Sequence, residues 1–219
     1  MKLTSNSFND GQRIPDEFAF ATIAATDHIA LSRNKNPHLA WDAVPEGTES
    51  FVIVCHDPDV PTRPDDVNKE GRIVPADLPR ASFFHWIVDG IPADVREIAA
   101  GTHASEVQPR GKSASSAPGG LRWGLNDYTA WFSGDADMEG EYYGYDGPCP
   151  PWNDAIVHHY VFTVYALGAA HLAVEGKLDG RTALEALARA PVLGVASLTG
   201  LYSLNPDLAA SCRPLTHCL

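Results

Sequence analysis

The hydrophobic positions of this chain fall mainly into short runs of β-branched and aromatic residues, separated by turns that contain proline and glycine. Runs of this length and composition, bounded by turn residues, are typical of buried β-strands. The pattern therefore predicts a mostly β fold, a sandwich with a few peripheral helices. The predicted strands cover residues 39–43, 50–55, 82–88, 160–167 and 196–202.

One helix is predicted, over residues 182–190, where strong helix formers follow one another. Leu184 and Leu187 would form its buried face, Asp179 or Thr182 would cap its start, and Pro191 would end it.

Three long segments between these elements are predicted to lie over the scaffold as loops, one of them residues 107–120, which are rich in Ser, Gly and Pro. The proline-rich segment, residues 62–80, is full of Pro, Asp and charge, and the aromatic segment, residues 131–143, mixes aromatic and acidic residues. Loops this long inside a domain are usually functional lids or disordered. Either the proline-rich and the aromatic segment both cover a pocket, or the aromatic segment contacts a second subunit. We expect the second, a homodimer, because exposed aromatic patches mark interfaces and symmetric dimers are common.

The composition limits the classes of function. The 219 residues, 44% of them hydrophobic, are enough for one domain over residues 1–219, with a tail from about residue 206 expected to be loosely ordered. A net charge of -12 argues against non-specific nucleic-acid binding and against docking on anionic lipid. No run approaches the ~20 apolar residues of a membrane span. With no signal-like stretch in the first ten residues, we expect a cytoplasmic protein without integral membrane contact. Cys55 is predicted to be a buried thiol, and Cys212 and Cys218 to be thiols or a tail disulfide.

Four short pieces pair rigid backbone with groups that exchange protons near neutral pH. They cover residues 56–61, 84–86, 147–151 and 158–160. Proline fixes the backbone, and glycine allows a backbone N–H to approach a guest closely. Buried His and Asp are costly unless they are paired or functional. The combination predicts a small polar pocket that binds a small anion.

Alternation along the strands assigns these side chains to faces. His85 would lie opposite Phe84 and Trp86, and His158 and Tyr160 would share one face with His159 on the other. In the first piece we expect the prolines to end the strand. One of its two carboxylates, Asp57 and Asp59, would point into the pocket while the other holds the loop together.

The proline loop, residues 147–151, is stiff and can present N–H groups to an anion. Cys149 is also a candidate nucleophile beside His158, but the nearby Asp146 and Asp154 without a Lys or Arg favour an unactivated thiol that alkylates slowly. Metal binding is not predicted, because these histidines and cysteines lack the spacing of metal ligands.

Taken in order, these motifs resemble the phosphatidylethanolamine-binding protein family, specifically its bacterial branch of Raf-kinase-inhibitor-like proteins. The resemblance covers most of the chain. It is carried by residues 36–41, 44–48, 57–61, 84–88, 91–93, 124–128, 144–151, 158–160 and 164–167. It implies a β-sandwich with a pocket for phosphate-type groups near one end and no cofactor. The residues that it places around the pocket are Asp57, His85, His158 and Tyr160, with Gly147, Cys149 and Pro150 from the proline loop.

The chain departs from the family pattern at four places, one of which is the segment 151–155, which replaces the glycine-bearing stretch that often follows the double proline. His159 stands where the family usually has Arg, which removes a permanent charge and an ion pair to Asp59. The proline-rich and aromatic segments are longer than in compact bacterial members, so they would narrow or cover the pocket mouth.

The function predicted from these observations is the binding of a small anion such as phosphate, phosphoethanolamine or a carboxylate. Two alternatives stay open: a hydrolase that uses His158 or Cys149, and an interaction module that inhibits a kinase or protease through its loops. Because an opposite charge favours a protonated imidazole, we expect Asp57 to raise the pKa of both His85 and His158. Anion affinity would then weaken as the pH rises through the histidine range.

Overall fold

The computed structural model describes residues 1–209. The strands are β1 (Lys2–Thr4), β2 (Gln12–Arg13), β3 (Ala21–Ile23), β4 (Ile29–Leu31), β5 (Leu39–Asp42), β6 (Ser50–Pro61), β7 (Arg80–Pro92), β8 (Glu97–Ile98), β9 (Arg122–Trp123), β10 (His158–Leu167) and β11 (Val192–Tyr202). The α-helices are α1 (Tyr128–Trp131), α2 (Gly180–Leu187) and α3 (Pro206–Ala209). Single turns of 3-10 helix cover Asp16–Phe18, Ala114–Ser116 and Pro118–Gly120.

The strands form a six-stranded sheet, a three-stranded sheet and a hairpin. The large sheet has the order β2-β11-β10-β6-β7-β9, the small sheet has the order β1-β5-β8, and β3 pairs with β4. The main core unites the inward faces of the two larger sheets, including Trp41, Phe51, Trp86 and Phe162. The predicted mostly β sandwich with few helices is confirmed.

Each predicted strand overlaps an observed strand, and the prediction for 39–43 runs one residue past β5, but β6 extends further than predicted. It continues through the prolines to Pro61, whereas the sequence pattern predicted an end before them. β6 pairs with β10 only as far as His56, so its last residues form an edge, where proline is tolerated. Between Asp57 and Val60 the register with β7 also shifts, which leaves Pro58 and Asp59 outside the ladder.

Helix α2 packs on the outer face of the six-stranded sheet. Asp179 caps it, its side chain accepting from the Thr182 N–H while the Thr182 hydroxyl accepts from the Asp179 N–H. The buried residues of the helix include Ala183, Ala186 and Leu187. Leu184 is exposed, so the predicted pairing of Leu184 with Leu187 was wrong. The buried face is formed by Ala183 with Ala186 and Leu187, which follow it by three and four residues.

A β-bulge in β7 decides where His85 points. Cys55 of β6 lies opposite Trp86, and the next residue, His56, lies opposite Phe84, so His85 has no partner residue across the ladder. Such a bulge interrupts the alternation of side chains. Phe84 consequently packs with α2 on one face of the sheet, whereas Trp86 packs in the main core on the other. The predicted common face for Phe84 and Trp86 was wrong.

Two regions complete the description. Pro206–Ala209 form α3, while Cys212 and Cys218 lie outside the described residues, so the predictions about these two cysteines remain predictions. Cys55 is buried and free, and burial raises its pKa well above the ordinary value, as expected for an inert thiol. None of the helices within residues 1–209 is long and apolar enough to cross a membrane.

Candidate ligand-binding cavity

A cavity of about 510 Å³ opens beside three adjacent strands of the large sheet. Its floor, as we name it, consists of Asp57 from β6, His85 from β7 and Tyr160 from β10. The rings of His85 and Tyr160 meet edge to face with centroids 5.1 Å apart. Because β10, β6 and β7 are neighbours in the sheet, residues far apart in the sequence arrive at one place.

The walls of the cavity are largely apolar, which corrects the expectation of a small polar pocket. They come from the β3–β4 hairpin and the residue before it, from parts of β6, β7 and α1, and from the proline-rich segment, the aromatic segment and the proline loop. The remaining lining residues are Phe20, Ala21, Ile29, Leu31, Val60, Pro61, Pro64, Val67, Asn68, Phe83, Tyr128, Trp131, Phe132, Met138, Cys149, Pro150 and Pro151. The cavity thus offers a polar floor and a long apolar wall to one guest.

The proline-rich segment is fixed to the scaffold by Asn153, which is buried. Its side-chain amide donates to the carbonyls of Asp66, Lys69 and Arg72, and its side-chain oxygen accepts from the Asn68 N–H. One side chain therefore satisfies four backbone groups of a segment without regular structure, which holds that wall in place.

The aromatic segment finds its partners within the chain. Tyr142 is buried in a cluster with Phe20 and Tyr128, and Phe132 packs against the same cluster. These contacts place the aromatic segment beside the cavity, where the proline-rich segment also lies. This arrangement corresponds to the alternative in which both segments cover the pocket. Most of its aromatic rings therefore do not need a second subunit to cover them, and the homodimer stays a prediction.

His158 does not line the cavity but lies behind its floor. Its Nδ1 is 2.7 Å from Oδ2 of Asp57, and its Nε2 is 3.0 Å from Oδ2 of Asp154. Arg80 in turn donates to both oxygens of Asp154, over 2.6 and 3.0 Å. The four groups form a buried chain of alternating charge, which we name the floor relay. The prediction that His158 shares a face with Tyr160 is confirmed, but the neighbouring carboxylate separates its ring from the cavity.

The floor relay keeps His158 protonated at neutral pH. Burial alone would lower its pKa, but hydrogen bonds to Asp154 and Asp57 outweigh that cost and raise the pKa to about 9. In Asp154 burial raises the pKa, yet the His158 and Arg80 contacts dominate and the net pKa is lowered. With Asp57 and Asp154 ionised, the relay contains two negative and two positive groups and is neutral overall.

His85 behaves in the opposite way. Its Nδ1 lies 2.7 Å from the backbone carbonyl oxygen of Asp146 and must donate the hydrogen, because a carbonyl only accepts. Burial lowers the pKa of His85 to about 4, and the attraction of Asp57 does not offset it. The expectation of a raised pKa is therefore right for His158 and wrong for His85, where Asp57 raises the pKa by less than burial lowers it. Nε2 of the neutral ring has no hydrogen-bond partner among the described residues.

Asp146 supports this arrangement from below. The carboxylate is fully buried and accepts from the side chains of Asn34, Lys112 and Asn126, over 2.7 to 2.8 Å. Burial still raises its pKa. The carbonyl that fixes the ring of His85 is thus held by a satisfied polar cluster.

The proline loop supplies Cys149 and Pro150 to the cavity, while Gly147 lies outside the lining. A side chain at Gly147 would come 2.2 Å from the carbonyl oxygen of Phe18, so only glycine fits. The Gly147 N–H donates to the Asn34 side chain, and its carbonyl accepts from the Tyr128 hydroxyl. Gly147 positions the loop rather than contacting a guest.

Cys149 is a free thiol, and burial raises its pKa to about 12. A thiol with this pKa holds its proton at neutral pH, which does not suit a nucleophile. The sequence suggested that Asp146 and Asp154 have no basic partners, but the fold brings Lys112 and Arg80 to them. Both cations are used in those ion pairs, and burial sets the pKa of Cys149. The slow alkylation of Cys149 stays a prediction.

Asp59 also lies outside the cavity lining. Its Oδ2 accepts from the His159 N–H over 2.9 Å and lies 2.8 Å from His159 Nδ1. His159 therefore keeps a contact with Asp59 despite replacing an arginine. Asp57 both lines the cavity and accepts from the Asp59 N–H, so the prediction of one carboxylate inside and one holding the loop fits this geometry.

Sequence reasoning assigned no role in the site to Arg80, Asp154 or Tyr128. Arg80 ends the proline-rich segment, and Asp154 follows the proline loop in a stretch without strand signals. Tyr128 occurs only in one of the resemblance motifs, residues 124–128. No local pattern connects Arg80 with a residue 74 positions away, although an isolated Arg at the edge of an acidic segment is a hint of an ion pair.

Comparison with known proteins agrees with this geometry. The family model of the phosphatidylethanolamine-binding protein matches residues 4–203. The chain belongs to this family. It is 31% identical to the UPF0098 protein YbhB of Escherichia coli (strain K12) over 180 residues, 82% of this chain and 86% of that protein. It is 32% identical to a UPF0098 protein of Methanothermobacter thermautotrophicus over 202 residues, 92% and 98% of the two chains.

Two solved phosphatidylethanolamine-binding-protein structures share the fold. One is Escherichia coli YbcL, described as a new member of the mammalian PEBP family, with a TM-score of 0.62 and 25% identity over 92% of this chain and 97% of that chain. The other is the putative homologue CT736 of Chlamydia trachomatis, with a TM-score of 0.59 and 26% identity over 92% and 96%.

Proposed function

We propose that this family member is a binding protein whose cavity takes a small molecule with a phosphate- or carboxylate-type head. One observation carries the proposal: Asp57, His85 and Tyr160 meet at the floor of a cavity whose walls are otherwise largely apolar. A few convergent polar groups in a concave apolar site are typical of small-molecule sites. The expected location remains the cytoplasm.

Two donors are available to the anionic head, the side-chain amide of Asn68 and the N–H of Cys149, which has no acceptor among residues 1–209. The Tyr160 hydroxyl donates to the Asp57 carboxylate, and burial together with this bond raises its pKa well above the ordinary value. Asp57 does not by itself exclude an anion, because the floor relay compensates its charge. Head groups that carry a proton donor of their own, such as phosphoethanolamine or monoanionic phosphate, also match the acceptors Asp57 and Nε2 of His85.

The test is a titration of the full chain with phosphoethanolamine and with inorganic phosphate, followed by calorimetry and by amide chemical shifts. Tyr160→Phe removes the hydroxyl that donates to Asp57 and leaves this carboxylate less compensated at the floor, so we expect affinity for an anionic head to fall about tenfold, the scale of a hydrogen bond to a charged group. Tyr165→Phe is the matched control, since Tyr165 lies in the same strand but outside the cavity lining. Equal losses in both variants, or no binding by wild type, would contradict the proposal.

The alternatives draw less support from the structure. The raised pKa of Cys149 and the enclosed position of His158 do not favour a hydrolase. No contact within residues 1–209 singles out a protein target, so the modulation of a kinase or protease remains a prediction from resemblance.

A further inference from the structure

The β3–β4 hairpin covers one side of the cavity and contributes Ala21, Ile29 and Leu31 to its lining. Within residues 1–209 its two strands pair only with each other. At the base of the hairpin, the N–H groups of Phe20 and Ala21 donate to the carbonyl of Pro148 in the proline loop. A two-stranded ribbon is marginally stable by itself, so the contacts of its free end decide whether this wall stays closed.

The free end of the hairpin, residues 24–28, is held by the side chain of His28. The ring of His28 lies flat on the indole of Trp152, with centroids 3.7 Å apart and planes 4° from parallel. Its Nε2 donates to Oε1 of Glu70 over 2.6 Å, because an ionised carboxylate only accepts. No other member of residues 24–28 has a hydrogen bond, ion pair or ring contact to a described residue outside the hairpin.

These contacts join three separate pieces of the cavity wall: the hairpin, the proline-rich segment and the end of the proline loop. Trp152 also donates its N–H to the side-chain oxygen of Asn68, which ties the second piece to the third. His28, Trp152 and Glu70 do not line the cavity, but each lies within two positions of a residue that does. They therefore act on the wall and not on a guest.

The backbone at His28 shows that a side chain is needed at this position. Its φ is +62°, and the Ile29 N–H donates to the Asp27 carbonyl across it, over 2.7 Å. A γ-turn with positive φ is rare and strained for any residue with a side chain, whereas glycine adopts positive φ readily. Such strain persists only where surrounding contacts fix the residue, and it is common at sites of function.

The contacts that fix His28 are also weak. The side chain of His28 is 41% exposed and that of Glu70 is 81% exposed, and exposed ion pairs contribute little to stability. A strained turn held by one ring stack and one exposed hydrogen bond can open while the sheets stay folded.

From these observations we propose that the β3–β4 hairpin is a flap over the cavity and that His28 is its latch, so that a guest enters and leaves when the His28 ring separates from Trp152 and Glu70. The inference rests on the proposed function only in that the cavity admits a guest. It does not depend on the chemistry of that guest.

Amide hydrogen exchange of the full chain tests the flap without a ligand. His28→Gly removes the latch and relieves the strained turn at the same time. We expect the N–H of Ala24, which donates to the carbonyl of residue 28, and the amides of the β3–β4 ladder to exchange at least fivefold faster in this variant. If strain in the turn controlled the hairpin, the same variant would slow the exchange.

Asp27→Asn is the matched control. Asp27 lies in the same turn with a φ of +60°, and its side chain has no hydrogen bond or ion pair to a described residue. Asparagine also tolerates positive φ, so the exchange rates should stay within twofold of wild type.

Cys149 reports the opening from inside the cavity, because it lines the cavity next to Pro148, the partner of the hairpin base. The full chain is labelled with N-ethylmaleimide, an uncharged thiol reagent, and mass spectrometry of the peptide that contains Cys149 gives the rate. We expect labelling several-fold faster in His28→Gly and in Trp152→Leu, and unchanged in Asp27→Asn. Cys55, which is buried in the sheet, is the internal control for unfolding.

The outcomes separate the flap from the proposed function. Unchanged or slower amide exchange in His28→Gly, an equal effect of Asp27→Asn, or equal acceleration at Cys55 would overturn the latch. Phosphoethanolamine binding with no effect of His28→Gly on exchange or labelling would overturn it while leaving the anion proposal intact. Faster exchange and faster labelling in a chain that binds no phosphoethanolamine would do the reverse.

Discussion

The two sides of Asp57 hold one histidine each and treat them in opposite ways. On the β10 side, His158 lies between two carboxylates, and its pKa rises to about 9. On the β7 side, His85 donates to a backbone carbonyl and is otherwise surrounded by rings, and its pKa falls to about 4. The same carboxylate acts on both. The comparison shows that direct hydrogen bonds to ionised groups offset the cost of burial, whereas a charge acting without such a bond does not.

The largest effect on the β10 side of Asp57 should come from removing Asp154, the carboxylate in the middle of the floor relay. Asp154→Asn leaves Arg80 and His158 without their shared partner. Breaking a buried ion pair from one side typically costs about 3–5 kcal/mol, and we expect a loss of this size at pH 7. Chemical denaturation measures it.

Asp59→Asn is the control, because its partner His159 is half exposed and such pairs contribute at most about 1 kcal/mol. Equal losses of unfolding free energy in the two variants would show that the floor relay contributes no more to stability than a half-exposed ion pair.

Raising the pH should remove the stabilisation by protonated His158 without a mutation. The pKa of His158 is higher in the folded chain, about 9, than the ordinary value of 6.5, so the folded state binds the extra proton. The corresponding stabilisation is complete below pH 6.5 and is lost as the pH rises to about 9; a shift of this size corresponds to about 3 kcal/mol. Denaturation at pH 6.5, 8 and 9.5 measures it.

His159→Gln should retain this alkaline loss, because His159 is outside the relay. An unfolding free energy that stays level from pH 6.5 to 9.5 would show that His158 is not protonated in the native state.

Lowering the pH should affect the β7 side. His85 has a folded pKa of about 4, below the ordinary value of 6.5, so the unfolded chain binds the proton more readily. Above pH 6.5 the ring is neutral in both states, and its burial does not reduce the free energy of unfolding. As the pH falls from 6.5 to about 4, the unfolded chain takes up the proton first, so the free energy of unfolding decreases. His103, which accepts from the Trp123 indole and also has a pKa of about 4, adds to the loss.

Nitrogen chemical shifts of the imidazoles separate the two histidines from the carboxylates that titrate in the same range. We expect His85 to remain neutral, with hydrogen on Nδ1, down to about pH 5. A midpoint near 6.5 for His85 would remove the contrast between the two sides of Asp57.

The smallest expected effect is on ligand affinity near neutral pH. Neither His85 nor His158 changes charge between pH 6 and 8, since the first has a pKa of about 4 and the second a pKa of about 9. Affinity for a carboxylate probe, which does not titrate in this interval, should therefore change less than twofold. This replaces the expectation from the sequence that anion affinity falls with rising pH. A tenfold fall would mean that an imidazolium with an ordinary pKa contacts the ligand.

The sequence by itself determined five of the eleven strands, narrowed the helix cap to Asp179 or Thr182, and identified the segments that supply Asp57, His85 and Tyr160. These features depend on local periodicity, on turn residues and on motifs that can be read in order along the chain. The alternation of β10 also places His158 and Tyr160 on one face, because that strand continues without interruption until its last residues.

Only the tertiary structure decided which side chains face a guest in the cavity and which charge each of them carries. A single bulge shifts the alternation in β7 and turns His85 towards the cavity. The proton of His158 depends on Asp57 and on Asp154, which a loop brings to it, and the apolar walls come from several segments far apart in the sequence. A pKa reflects the three-dimensional surroundings of a group, and its neighbours in the sequence contribute only part of them.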